Sequence, residues 1–145
     1  MKTKTILSAL TVLACSYGTA MAQVPSGAVR IGVLNDQSGT YSDIGGMGSV
    51  IAARMAAEDF GGKVLGVPIE ILFADAQNKT DISAAKAREW FDVNKVDMIT
   101  DLAASNVGLA VMKLAKEKNK IALNTGSASS PVSYTHLTLP TNREV

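Results

Sequence analysis

At 145 residues, 47% apolar and 19% charged, the sequence has room for one ordinary globular domain and is too apolar to be disordered. Its 14 Lys and Arg against 13 Asp and Glu are dispersed along the chain, which leaves no electrostatic footprint for nucleic acid. A single cysteine rules out a disulfide framework.

Residues 1–22 read as a secretory signal peptide. Lys2 and Lys4 form the basic start, residues 6–14 a short apolar core, and Ala20-Met21-Ala22 a small-x-small cleavage site before Gln23. The core is far shorter than the roughly twenty apolar residues that span a bilayer. Val12-Leu13-Ala14-Cys15 also resembles a lipoprotein box, but Leu13 fits it poorly and the Ala-Met-Ala site is the better one, so the expected product is soluble and not anchored through Cys15. Cleavage removes the only cysteine, and an exported domain without disulfides suits a bacterial periplasm.

After a Pro-Ser-Gly lead, residues 29–34 form an apolar, β-branched run too short for a helix, with Asn35 and Asp36 at its polar exit. A polar loop occupies 37–46. From Met47, apolar residues recur at Ile51 and Met55, flanked by Val50, Ala53, Ala56 and Phe60, which predicts a helix with a close-packing face. Gly61-Gly62 provides a left-handed stop. Residues 67–73 form a second strand, ending in Ala74-Asp75. Thr80 or Asp81 is expected to cap a second helix running to about Val93, with Ala84, Ala85, Ala87 and Phe91 on its inner face. Residues 97–100 are a third strand closed by Asp101. Ser105 or Asn106 is expected to cap a third helix in which Val107, Val111, Leu114 and Ala115 share one side. Residues 121–123 are a fourth strand opening into Asn124-Thr125-Gly126-Ser127-Ala128-Ser129.

Strands alternating with helices predict an α/β fold, a doubly wound parallel sheet covered on both faces. In such a sheet the loops over 38–43, 101–106 and 125–129 share the carboxyl edge, where open α/β folds bind ligands. Residues 131–145, PVSYTHLTLPTNREV, have neither periodicity nor caps and resemble translated adapter sequence. They are expected to be non-native, so Tyr134, His136 and Arg143 receive no role.

Catalysis finds little support. The only histidine lies in that tail, so a serine nucleophile would have no histidine base, and Gly126-Ser127-Ala128-Ser129 lacks the second glycine of a nucleophile elbow. Asp36, Asp43, Asp75 and Asp101 all lie near strand exits, where acids are more often solvated or capping than metal ligands. Gly45-Gly46-Met47-Gly48 opens a helix but starts well beyond the strand and has Ile51 where a dinucleotide fingerprint needs its last glycine. What remains is a set of neutral groups: Ser38, Ser42, Ser105, Asn106, Thr125, Ser127 and Ser129, with backbone N–H groups at the starts of the first and third helices. Such a set suits a carboxylate held by hydrogen bonds without an arginine, and Tyr41 is placed to close over an apolar part of the ligand. Each hydroxyl alone is as readily a cap or turn residue; only their common edge points to a site.

Four ordered blocks, RIGVLNDQSGTYSDIGGMGSVIAARMAAEDFGG, VPIEILFADAQNKTDISAAKAREW, DLAASNVGLAV and NKIALNTGSASS, together resemble the first lobe of periplasmic solute-binding proteins of the branched-chain amino-acid type, the type I receptors of ABC importers. The resemblance covers residues 29–130 and implies two α/β lobes that close on a small ligand by a hinge. It also implies that the ligand carboxylate is gripped by the loops after the third and fourth strands, at Ala104 and Ser105 and at Ser127, Ala128 and Ser129, with Tyr41 offering a contact from the first loop, beside Ser38 of the hydroxyl set. At Ala104 relatives commonly carry Ser or Thr, so one side-chain donor is missing. The implied protein is a non-enzymatic receptor with no cofactor or metal, partnered by a small-molecule ligand, an amino acid of the branched-chain type or a similar small carboxylate or amide, and by the membrane subunits of an ABC permease. Family members are far longer, so the chain is expected to be an incomplete first lobe over 23–130. Two alternatives remain: a sensory domain of the same fold, which would continue into a membrane helix, and an exported α/β enzyme, which would show His, Cys or paired acids further on.

Overall fold

The computed structural model describes residues 27–130. The signal expected over 1–22 with Cys15, and the tail expected over 131–145 with His136, lie outside the described residues. Eight elements follow in order: β1 (Val29–Asn35), α1 (Gly46–Asp59), β2 (Lys63–Val64), β3 (Val67–Asp75), α2 (Thr80–Asp92), β4 (Met98–Thr100), α3 (Ser105–Glu117) and β5 (Ile121–Leu123). They build one sheet of order β2-β3-β1-β4-β5. No helix among the described residues is long and apolar enough to cross a membrane.

The expected α/β architecture is present, with β1 central and parallel to both β3 and β4, and β5 parallel to β4. The sheet is not wholly parallel, however. β2 pairs antiparallel with β3, turning through Leu65 (φ 50°) and Gly66 (φ 82°), two left-handed residues as a type I′ hairpin requires. A two-residue strand has no periodicity to read, so the sequence shows only the turn.

Alternation along the strands separates two faces. Gly32, Leu34, Leu72, Ala74, Ile99 and Ala122 face α2 and α3, where Trp90, Phe91, Val107, Val111 and Leu114 complete the main core. A Cβ at Gly32 would lie 2.4 Å from Trp90, so the indole rests directly on the β1 backbone. The other face carries Ile31, Val33, Ile69, Ile71, Phe73, Met98, Ile121 and Leu123, and is covered only in part.

That partial cover corrects the expectation for α1. Gly46 and Val50 are buried, whereas Met47, Ile51 and Met55 are 45%, 53% and 58% exposed. Periodicity identifies an apolar stripe but not which neighbour covers it, and the described sheet packs beside this stripe rather than under it. Ile121 and Leu123 are likewise 59% and 41% exposed. Among the described residues, α2 and α3 thus cover one face of the sheet and the other is covered only in part.

The helix ends also differ from expectation. Neither Thr80 nor Asp81 caps α2, and neither Ser105 nor Asn106 caps α3: the N-cap positions are Lys79 and Ala104, both extended and without a side-chain bond. The chain turns helical one residue earlier than the polar side chains suggest, which places those side chains inside the first turns. Asn106 Nδ2 donates instead to Thr80 Oγ1 at 2.8 Å, tying the two helix starts together. The α1 stop agrees with expectation, with Gly61 and Gly62 left-handed and Gly62 N–H donating back to Ala57.

Candidate functional site

The strand order fixes where a crevice opens. From β1 the chain passes through α1 toward β3, and from β4 it passes through α3 toward β5, in opposite directions from the central pair. The exit loops of β1 and β4 therefore diverge, which makes this the switch point where open α/β sheets bind ligands. A small cleft at this edge, lined by Asn35, Asp36, Ala103 and Ala104 among others, leaves about 10 Å³ free, close to what one water requires.

Three contacts join the loops after β4 and β5. Thr125 Oγ1 donates to Asp101 at 3.1 Å, Ser127 Oγ to the Leu102 carbonyl at 2.6 Å, and the Ser129 N–H to Ser105 Oγ at 3.3 Å. Asn124 braces the turn from inside: its Oδ1 accepts the N–H groups of Gly126 and Ser127, and its Nδ2 donates to Ser127 Oγ at 2.7 Å. The loop can lie this close because α3 has glycine at 108, where a Cβ would come within 2.3 Å of Asn124 Nδ2 and 2.9 Å of Ser127 Oγ. Ala104, Ser105, Ser127, Ala128 and Ser129 are thus gathered in one place, with Ala128 exposed between the two serines.

The hydroxyls there are not equivalent. Ser127 spends its proton on Leu102 and so acts within the loop. Ser105 accepts from Ser129 N–H and keeps its own proton. Among the described residues Ser129 Oγ is buried with no hydrogen-bond partner, an arrangement that costs free energy unless something else supplies the bond. Beside them, α3 starts with no side-chain cap on its first-turn N–H groups.

The loop after β1 is held differently. Buried Asp36 accepts the N–H of Gly39 at 2.7 Å and of Tyr41 at 3.0 Å. Asp75, at the end of β3, accepts Gln37 N–H, Ser38 Oγ and Gln77 N–H at 2.9, 2.5 and 2.8 Å. Slight burial acts to raise the Asp75 pKa, but the bonds from Ser38, Gln37 and Gln77 together outweigh it and hold the carboxyl below its ordinary value. Ser38 is accordingly tied to the β3 exit and not gathered with the serines of α3 and the β5 loop. Tyr41 is half-buried against the main core. The acids at the strand exits staple loops, and among the described residues no group of three or more His, Cys, Asp or Glu is placed to hold a metal.

Sequence reasoning placed Asn35 and Asn124 at strand exits but gave neither of them, nor Gly108, a role in shaping the site. Asn35 is 3% exposed, and its Nδ2 donates to Asp101 Oδ2 at 2.9 Å and to the Gly46 carbonyl. The available signals were an amide closing a buried strand and a glycine within the first turns of a helix, where glycine costs stability relative to alanine.

A family profile described as periplasmic binding protein matches residues 28–142. The chain belongs to the periplasmic binding protein family. Solved members share the fold: a periplasmic binding protein of Burkholderia mallei is 44% identical, with 74% of this chain and 29% of that one covered at a TM-score of 0.72. A branched chain amino acid ABC transporter periplasmic ligand-binding protein of Burkholderia xenovorans is 48% identical, over 70% and 27% of the two chains, at 0.68. A leucine binding protein of Thermotoga maritima is 26% identical, over 72% and 29%, at 0.63. The chain therefore spans less than a third of the length of each of these relatives. No curated protein matches it. The partial α/β lobe agrees with the type I receptors of this family.

Proposed function

We propose that the chain forms the start of the first lobe of an extracytoplasmic receptor that captures an amino acid of the branched-chain type, or a similar small carboxylate, for an ABC importer. It would do so without covalent chemistry or a cofactor, in the periplasm after removal of residues 1–22, and would deliver the ligand to the permease in the membrane. One observation carries this reading: the buried, unpartnered Ser129 Oγ stands beside Ser105, at an α3 N-terminus without a side-chain cap. Two hydroxyl protons and open helix N–H groups suit an anion of one unit charge. Ala104 supplies no hydroxyl, so the grip falls on Ser105, Ser129 and the backbone around Ala128. Ser127 contributes by shaping the loop. Tyr41 borders the ligand's apolar part, and Ser38 acts at a distance through its tie to Asp75. The relatives from Burkholderia xenovorans and Thermotoga maritima, a branched chain amino acid transporter ligand-binding protein and a leucine binding protein, favour branched-chain amino acids as the first ligands to try.

The test is calorimetric titration of the full-length protein with L-leucine and with leucinamide, which keeps the ammonium and side chain but lacks the carboxylate. L-leucine is expected to bind and leucinamide to fail. Ser129→Ala should weaken binding by about 1–3 kcal/mol. Equal binding of the two ligands would move the anion grip away from these serines.

A further inference from the structure

We propose that Asp101 is a positioning residue of the ligand edge, holding the β5 loop in fixed relation to β1 and α1; the inference rests on the reading of Ser105 and Ser129 as the anion grip. Asp101 directly follows β4 with a left-handed backbone, φ 65°, a conformation that Asp and Asn tolerate better than most side chains. The turn that follows leads to Leu102, which is fully buried. The Asp101 carboxylate lies between two partners: Oδ2 takes Asn35 Nδ2 at 2.9 Å and Oδ1 takes Thr125 Oγ1 at 3.1 Å.

Both amide protons of Asn35 are spent. Its amide nitrogen serves Gly46 and Asp101, and its Oδ1 accepts from Gln37 Nε2 at 3.2 Å. A continuous polar bridge thus runs from the first turn of α1 through Asn35 and Asp101 to Thr125, four residues before Ser129. Thr125 is exposed, so its bond to Asp101 adds little to the stability of the core. What the bond does fix is where the β5 loop begins.

The hydrogen-bond chemistry supplies a control. A threonine hydroxyl both donates and accepts, so Asp101→Asn can keep both contacts, its Oδ1 accepting from Asn35 and its Nδ2 donating to Thr125. Asp101→Gly keeps the left-handed turn and removes the carboxylate.

The experiment uses the full-length protein, titrated with L-leucine and with 4-hydroxybenzoate, a carboxylate without an ammonium group, beside thermal melts of the ligand-free form. Thr125→Val is expected to weaken binding of the probe that the unaltered protein takes by about five- to tenfold, leaving the melting temperature in place. Asp101→Gly should weaken it further, and Asp101→Asn should restore it to within about twofold. Unaltered affinity in Thr125→Val, with Ser129→Ala still weakened, overturns the positioning role and spares the anion grip. An Asp101→Asn variant as weak as Asp101→Gly also overturns it. Unaltered affinity in both Ser129→Ala and Thr125→Val, or binding of neither probe, overturns both.

Discussion

The two loop systems at the carboxyl edge are both tightly held, but by different chemistry. The β1 and β3 exits are stapled by carboxylates: Asp36 and Asp75 between them take five donors from their own loops. The β4 and β5 exits are joined by one carboxylate, Asp101, and otherwise by hydroxyls, an amide and backbone, and among the described residues one buried hydroxyl there has no partner. A loop whose donors already serve internal anions has little to offer a ligand anion. A loop held by neutral groups can be equally ordered and still present open donors, and the cost of desolvating them is recovered only when a ligand arrives. On the proposed reading, the first lip supports and the second grips.

That contrast can be broken in graded steps. The largest effect is expected from Gly108→Ala in the full-length protein. The added methyl displaces Asn124 and Ser127, and binding should fall by roughly 2–3 kcal/mol although alanine is the better helix former; titration calorimetry and a melt together separate the two contributions. Asp36→Ala comes next and acts in the opposite sense, on stability more than on the ligand. Losing the acceptor for two loop N–H groups should cost about 1–3 kcal/mol by urea denaturation, with a smaller change in affinity. If Asp36→Ala abolished binding while leaving stability intact, the division between support and grip would fail.

The smallest effect is that of acid on Asp75. Its folded pKa lies below the ordinary carboxyl value of 3.8, so the group binds fewer protons folded than unfolded around that pH. Its contribution is thus present above 3.8 and lost as the pH falls through the lower folded value. Asp75→Asn should flatten the acid limb of the stability curve slightly, as read by melts between pH 5 and 2. A variant as acid-sensitive as the unaltered protein would show that the Ser38 and Gln77 bonds do not act through the carboxylate charge.

Much of the fold was legible because its signals are local. The β-branched run at 29–34, the spacing of Val107, Val111, Leu114 and Ala115, and the stop at Gly61-Gly62 each report a backbone preference that the structure keeps. The helix starts misled because Ser105 and Thr80 are capping types, yet it is the extended residue before each that holds the cap position. The α1 stripe misled because a period shows that a side is apolar, not what lies against it. For the site, the edge was legible from strand exits alone, whereas the state of each hydroxyl was not. Ser38 meets Asp75 and Ser127 meets Leu102 across 37 and 25 residues, and no local pattern distinguishes a hydroxyl spent in this way from one left open like Ser129.

The half-covered face of the sheet has a consequence for the order of assembly. Met47, Ile51 and Met55 on α1, with Ile121 and Leu123 on β5, leave apolar side chains exposed on this side of the sheet. While that surface is wet, two chains meeting there compete with the intramolecular step that would dry it, one process second order in protein and the other first order. The yield of refolded protein should therefore fall as its concentration rises, with the crossover set by how fast that surface is buried.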